Sequence, residues 1–218
     1  MATQIVMDQT GDTRHEFDPD NAEALARAEQ RFRELTGAGF TAAFRTGFGE
    51  VTRIKSFDPT AQETLFYPRL VGGWSELLMF AALRFRAPAR ARLHALRELY
   101  RRFFGENTPD ARGRRLLAEW LTPEQRAQFE QYRYFDVIGC DTGKRYRIHY
   151  GTAANVHEID DAGMAMMGWC FVPSGFLVPG DVMLAQKIAL ETDEKSALAL
   201  ANRFPPATHS EHFYRRPF

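Results

Sequence analysis

At Gly72-Gly73 the hydrophobic period of the chain changes, and this change limits the fold more than any other feature. Before it, short runs alternate apolar and polar residues, the period of strands, around a single helical stretch. After it, from Ser75, apolar residues recur every three or four positions. A chain built this way leaves a sheet at the glycine pair and enters helices, and glycine permits the sharp change of direction. The pair reads as a flexible junction.

Residues 4–17 predict two strands around Thr10-Gly11-Asp12, a good hairpin turn. The helix that follows is expected to be capped by Asp18 or Asp20, with Leu25, Ala28, Phe32 and Leu35 along one face and Gly37 and Gly39 at its end. Residues 40–45 and 51–57 predict a second hairpin. Residues 63–71 predict a last strand, which Pro68 places at a sheet edge or near its own end.

Beyond the glycines, residues 74–86 predict a short apolar helix stopped by Pro88. Residues 89–104 predict an amphipathic helix with Leu93, Leu96, Tyr100 and Phe103 inward. Pro109 opens another helix through Trp120, and Thr122, Pro123 and Gln125 have the spacing of a capping box. Residues 134–173 predict an antiparallel meander of three or four strands, turning at Asp141-Thr142-Gly143 and Asp161-Ala162-Gly163. Asp181 is expected to cap one long helix covering 182–204.

The expected class is therefore α+β, in four stretches. Residues 1–73 form a small α+β unit and 74–133 an Arg-rich helical middle. Residues 134–204 form a β-meander with a capping helix, and 205–218 an extended tail. The order strand, strand, helix, strand, strand, strand ending in Gly72-Gly73 resembles the β-grasp of ubiquitin and the small sulfur-carrier proteins. That resemblance implies a modifier precursor processed after Gly73 as one function. The pattern from Leu121 to Phe204, with Gly139, Thr142, Gly143 and Tyr146 followed by Cys170, Phe171, Pro173 and "GDVMLAQK", resembles a module of uncharacterised bacterial proteins and implies no particular chemistry.

Charge narrows the functional classes. Positive and negative residues balance at 28 each, but residues 84–115 hold ten arginines against three acidic residues, and both flanks are net acidic. Such segregation points to docking on an acidic partner or on another copy, through Arg90, Arg97, Arg101 and Arg102. Nucleic acid is a further candidate partner, although interleaved stacking aromatics at loop positions are missing and the overall charge is neutral. No run reaches the roughly 18–20 apolar residues of a membrane span. The first residues lack the basic and apolar regions of a signal peptide, so a cytoplasmic location is expected.

Candidate chemistry is sparse. Cys140, His149, His157 and Cys170 are the thiol and imidazole groups of the meander, the residue types of a zinc site or a thiol enzyme. Their separations of eight, seven and twelve residues lack the close ligand pairs of a zinc knuckle, and Cys170, between Trp169 and Phe171, reads as a core thiol. "GCDTGK" is too short between its glycines for a phosphate loop and reads as a hairpin turn. No motif implies a cofactor. The sequence thus favours a non-enzymatic scaffold, adaptor or assembly subunit, of a phage-like or other bacterial assembly, with the modifier precursor and the thiol or zinc enzyme as alternatives.

Overall fold

The computed structural model describes residues 1–45, 50–73 and 108–206. Strands β1 (Ala2–Asp8) and β2 (Gly11–Phe17) form the first hairpin. Helix α1 (Ala22–Gly37) follows, then β3 (Phe40–Arg45), β4 (Val51–Ile54) and β5 (Glu63–Pro68). They make one sheet in the order β2-β1-β5-β3-β4, in which β1 and β5 run parallel and every other pair antiparallel.

Alternation along these strands sends side chains to two apolar layers. Phe66 and Ala42 meet Phe32 of α1, and Ala2 and Phe17 meet Ala28. Buried Gln4 on the same face donates to Ala28 O at 2.9 Å and accepts from Arg31 at 2.9 Å. Ile5, Met7, Ala43, Val51, Leu65 and Tyr67 point the other way, into a second and larger core. The cap of α1 is Asn21, whose Oδ1 accepts from the amides of Glu23 and Ala24. This corrects the expectation of an aspartate cap: Asp18 is used one turn earlier, accepting from Asp20 N.

Past β5 the chain adds β6 (Leu70–Gly72), which leaves the first sheet and pairs with a strand of the second. Helix α2 (Pro109–Trp120) and helix α3 (Pro123–Tyr132) come before the meander strands of that second sheet, and the capping box at Thr122 and Gln125 forms as expected. The meander has four strands, β7 (Tyr134–Ile138), β8 (Arg145–His149), β9 (Val156–Ile159) and β10 (Ala165–Pro173). Helix α4 (Pro179–Thr192) and helix α5 (Glu194–Leu200) follow, and β11 (Asn202–Phe204) closes the sheet against β10.

The single long helix expected over 182–204 is thus two helices and a strand. Asp193 leaves helical geometry at φ −162°, and tertiary bonds hold the break. Asp193 pairs with Arg53 of β4. The Glu194 carboxylate accepts from the amides of Asp141 and Thr142, each at 2.8 Å, and from the Tyr146 hydroxyl at 2.7 Å. In return Asp141 accepts from Lys195 N at 2.9 Å, capping α5. The "GCDTGK" turn is therefore a loop whose amides grip a carboxylate of the same chain. Nor does Asp181 cap α4. Val178 occupies the cap without a side-chain bond, and Asp181 falls inside the first turn.

Residues 180–190 of α4 are all buried. The helix lies between β4 of the first sheet and β7, β8 and β10 of the second, with α2 beside it. One continuous core results, joining Ile5, Met7 and Leu65 to Leu116, Leu117 and Trp120 of α2, to Met183, Leu184 and Ile188 of α4, and to Phe135, Tyr146 and Ile148 of the second sheet. Where α2 crosses α4, Gly113 and Gly180 bring the two backbones into contact, and a Cβ on Gly180 would overlap the carbonyl of Gly113.

Backbone cannot yield as a side-chain tip can, so Gly180→Ala is expected to cost about 2–3 kcal/mol in chemical denaturation, the upper part of the over-packing range. Glu194→Gln should cost about 1–3 kcal/mol at neutral pH, by weakening charge-assisted bonds to the Asp141 and Thr142 amides and to the buried Tyr146 hydroxyl. These bonds hold the Glu194 carboxyl below its ordinary value of 4.5, against the opposing effect of burial. Its contribution is complete above that value and is lost as pH falls through the lower folded-state pKa, so the two proteins should converge in stability in acid.

Candidate functional site

Two places on the second sheet carry the residues singled out from the sequence. The first is the glycine pair. It does not form a flexible junction. Gly72 is opposite Phe171 in the β6–β10 ladder, and Gly73 N donates to Cys170 O at 3.2 Å. A Cβ at Gly72 would lie 2.7 Å from Leu200 O and 3.0 Å from the Asn202 amide, and one at Gly73 would overlap the Cys170 sulfur. The pair is glycine because the slot between β10 and the α5–β11 turn has no room for a side chain.

Cys170 is buried in that slot, as its apolar neighbours in sequence indicate. Burial pushes its thiol above the ordinary value, although the amides of Ala154 and Gly73 donate to the sulfur and oppose the shift. Such a thiol is a poor nucleophile. Cys140 is exposed and lies far along the chain on the Glu194 loop, where it accepts from Glu194 N at 3.5 Å. A helix N-terminus therefore does reach one thiol, which chain order did not reveal.

The two histidines come together without either cysteine. His149 and His157 meet ring to ring at 5.3 Å on the face of the sheet turned away from α4. Burial pushes His149 down to about 4, and His157 and Arg147 act in the same direction. His157 is lowered by burial and by Arg147. Among the described residues no group of three or more His, Cys, Asp or Glu is arranged to hold a metal ion. The proposed quartet of Cys140, His149, His157 and Cys170 is corrected accordingly: its members sit in a loop, on a sheet face and in the diglycine slot.

What the histidines do join is a row of rings. Tyr132 stacks on Tyr134 at 5.3 Å, Tyr134 meets His149 at 5.5 Å, and His157 meets Phe204 of β11 at 5.5 Å. Gly168 makes the last contact available, because a side chain there would occupy the Phe204 ring. Arg147 lies over Tyr134 with its guanidinium 4.1 Å from the ring centroid. Arg147 also makes a bidentate pair with Asp136 at 2.8 and 3.0 Å, and Arg145 shares the same carboxylate at 3.2 Å. Two arginines on one aspartate leave a positive surplus. At the ends of this face Tyr132 and Ile138 are 53% and 65% exposed.

This surface was not singled out from the sequence, though its signal is there: Tyr134, Asp136 and Ile138, and Arg145, Arg147 and His149, are the alternate positions of two strands. Arg90, Arg97, Arg101 and Arg102 lie outside the described residues. Arg112 and Arg114, from the same Arg-rich stretch, are engaged inside the fold, with Thr10 O and with Asp110.

The slot yields a coupled prediction. Gly73→Ala should destabilise by more than Cys170→Ala, and the double variant should recover part of the loss, because removing the sulfur makes room for the new methyl. A coupling of about 0.5–3 kcal/mol is expected from the four denaturation curves. No family model, curated protein or solved structure matches this chain.

Proposed function

We propose that the chain is a non-enzymatic adaptor or assembly subunit that docks an acidic partner. The observation that carries this reading is the outer face of the second sheet, where Arg145 and Arg147 converge on Asp136 beside the exposed Tyr132 and Ile138. Aromatic and arginine side chains are the residue types that anchor protein interfaces. A surplus of arginine selects carboxylate-bearing partners and fixes their orientation. The Arg-rich stretch around Arg97 and Arg101 belongs to the same reading as a second basic surface.

The first sheet supports a β-grasp-like reading through its order and its one parallel pair, β1 with β5. The modifier alternative has less support. Cutting after Gly73 and releasing residues 1–73 would bare Ile5, Met7, Ala43, Leu65 and Tyr67, which are buried against α2 and α4. At about 25 cal/mol per Å² of apolar surface, exposing several such side chains opposes release by many kcal/mol. A β-grasp-like unit integrated as a structural half suits an adaptor.

The test is a pair of charge reversals, Arg145→Glu with Arg147→Glu, combined with Tyr132→Ala. Association, measured by light scattering for self-assembly and by titration with an acidic partner, should weaken at least tenfold and fall with rising salt. Because the reversal leaves Asp136 without both of its partners, circular dichroism of the variant at the assay temperature must show the fold retained for a loss of association to count. Unchanged association at every salt concentration would sink the proposal for this face.

A further inference from the structure

Asp181 is the least satisfied charge-bearing group of the described core. It is fully buried, and neither carboxylate oxygen has a hydrogen-bond partner. It sits where the β1–β2 hairpin, α2 and α4 meet, with Oδ1 against Gly113. The charged groups facing it are Asp8 on β1, Asp12 on β2, and Asp110 and Arg112 on α2. Three of these four are carboxylates, each already engaged elsewhere: Asp8 with Thr10 and Thr13, Asp12 with Arg14, and Asp110 with Arg114 and Tyr150.

Arg112 is the fourth, and it is half used. Its Nη2 donates to Thr10 O at the hairpin tip, while its buried Nε has no acceptor. The tip rests on the same residue, since Gly11 packs against the Arg112 Cβ and Pro109 O, each 3.0 Å from the position a Cβ would take. An unpaired acceptor and an unpaired donor thus lie buried in one seam, and a bond between them would compete with the bond that holds the hairpin.

We propose that Asp181 and Arg112 form a proton-operated latch on the β1–β2 hairpin. With Asp181 protonated, Asp8 is the carboxylate that attracts Arg112, Arg112 keeps its bond to Thr10 O, and the hairpin stays seated on α2. With Asp181 ionised, a buried charge faces three other carboxylates, Arg112 turns to it, and the tip at Thr10-Gly11 is released. Burial, reinforced by Asp12 and Asp8, raises Asp181 to about 8, so the latch operates near neutrality. The sign follows from linkage. Ionisation is easier in the open state, where Arg112 pairs with the carboxylate, so rising pH favours opening until the closed state also ionises.

Amide hydrogen exchange of residues 10–13, corrected for intrinsic rate and referenced to β8, tests the latch between about pH 5 and 9. In the wild-type chain protection should fall by up to about tenfold per pH unit as pH rises towards 8 and then level. Asp181→Asn, which keeps the shape and removes the charge, should flatten that dependence. Parallel profiles in the two proteins would overturn the proposal. Should the variant fold poorly, the wild-type carboxyl followed by ¹³C NMR decides alone: a midpoint near neutrality supports the latch, and one near the ordinary aspartate value overturns it.

Discussion

Helix α4 is packed on every side, and the rest of the structure is arranged around that constraint. A helix with no solvent face must have neighbours in all directions. The first sheet supplies one through β4, the second sheet another through β7, β8 and β10, and α2 a third. Its polar residues must then be satisfied from within. Gln186 exchanges two bonds with Asn155 and donates a third to Phe171 O. Lys187 pairs with Glu191 at 2.5 Å. Asp181 stands apart from this pattern, which is why it draws a functional reading.

The same constraint explains the glycines that matter. At Gly113 and Gly180 α2 comes close enough to bury α4 from the side. At Gly72 and Gly73 the first sheet sends a strand across to the second. Each is a place where backbone meets backbone or sulfur, and where any side chain would force layers apart. The halves are joined by a shared core and a shared strand, so the glycine pair is a structural seam.

The outer face of the second sheet has the opposite character. Edge strand β7 is closed to further pairing by α3, whose Gln128 accepts from Asp136 N and whose Gln125 donates to Asp136 O. Blocking an edge in this way leaves the face, where rings and arginines lie, as the surface on which the proposed docking rests. Stacked and ion-paired side chains lose less freedom on binding than mobile ones, which favours a specific interface over a merely sticky one.

Much of the architecture was legible in the sequence, because period and turn chemistry are local. The succession of strands and helix in residues 1–68, the turns at Gly11, Asp141-Gly143 and Asp161-Gly163, the capping box at Thr122 and the buried state of Cys170 follow from neighbours within a few residues. Three features were not legible, each for want of a partner distant in the chain. Asp193 breaks a helical run because Arg53 and the Glu194 loop hold it. His149 and His157 were candidates only for a weak metal alternative, because spacing does not show that strand pairing aligns them with Tyr134 and Phe204. Gly72-Gly73 looked like a hinge because nothing local reveals Cys170 and Leu200 pressed against it. The sequence by itself determined where helical and strand periods fall along the chain. Tertiary structure decided what the glycines, histidines and Asp181 face, since burial and unpaired charge are properties of contacts.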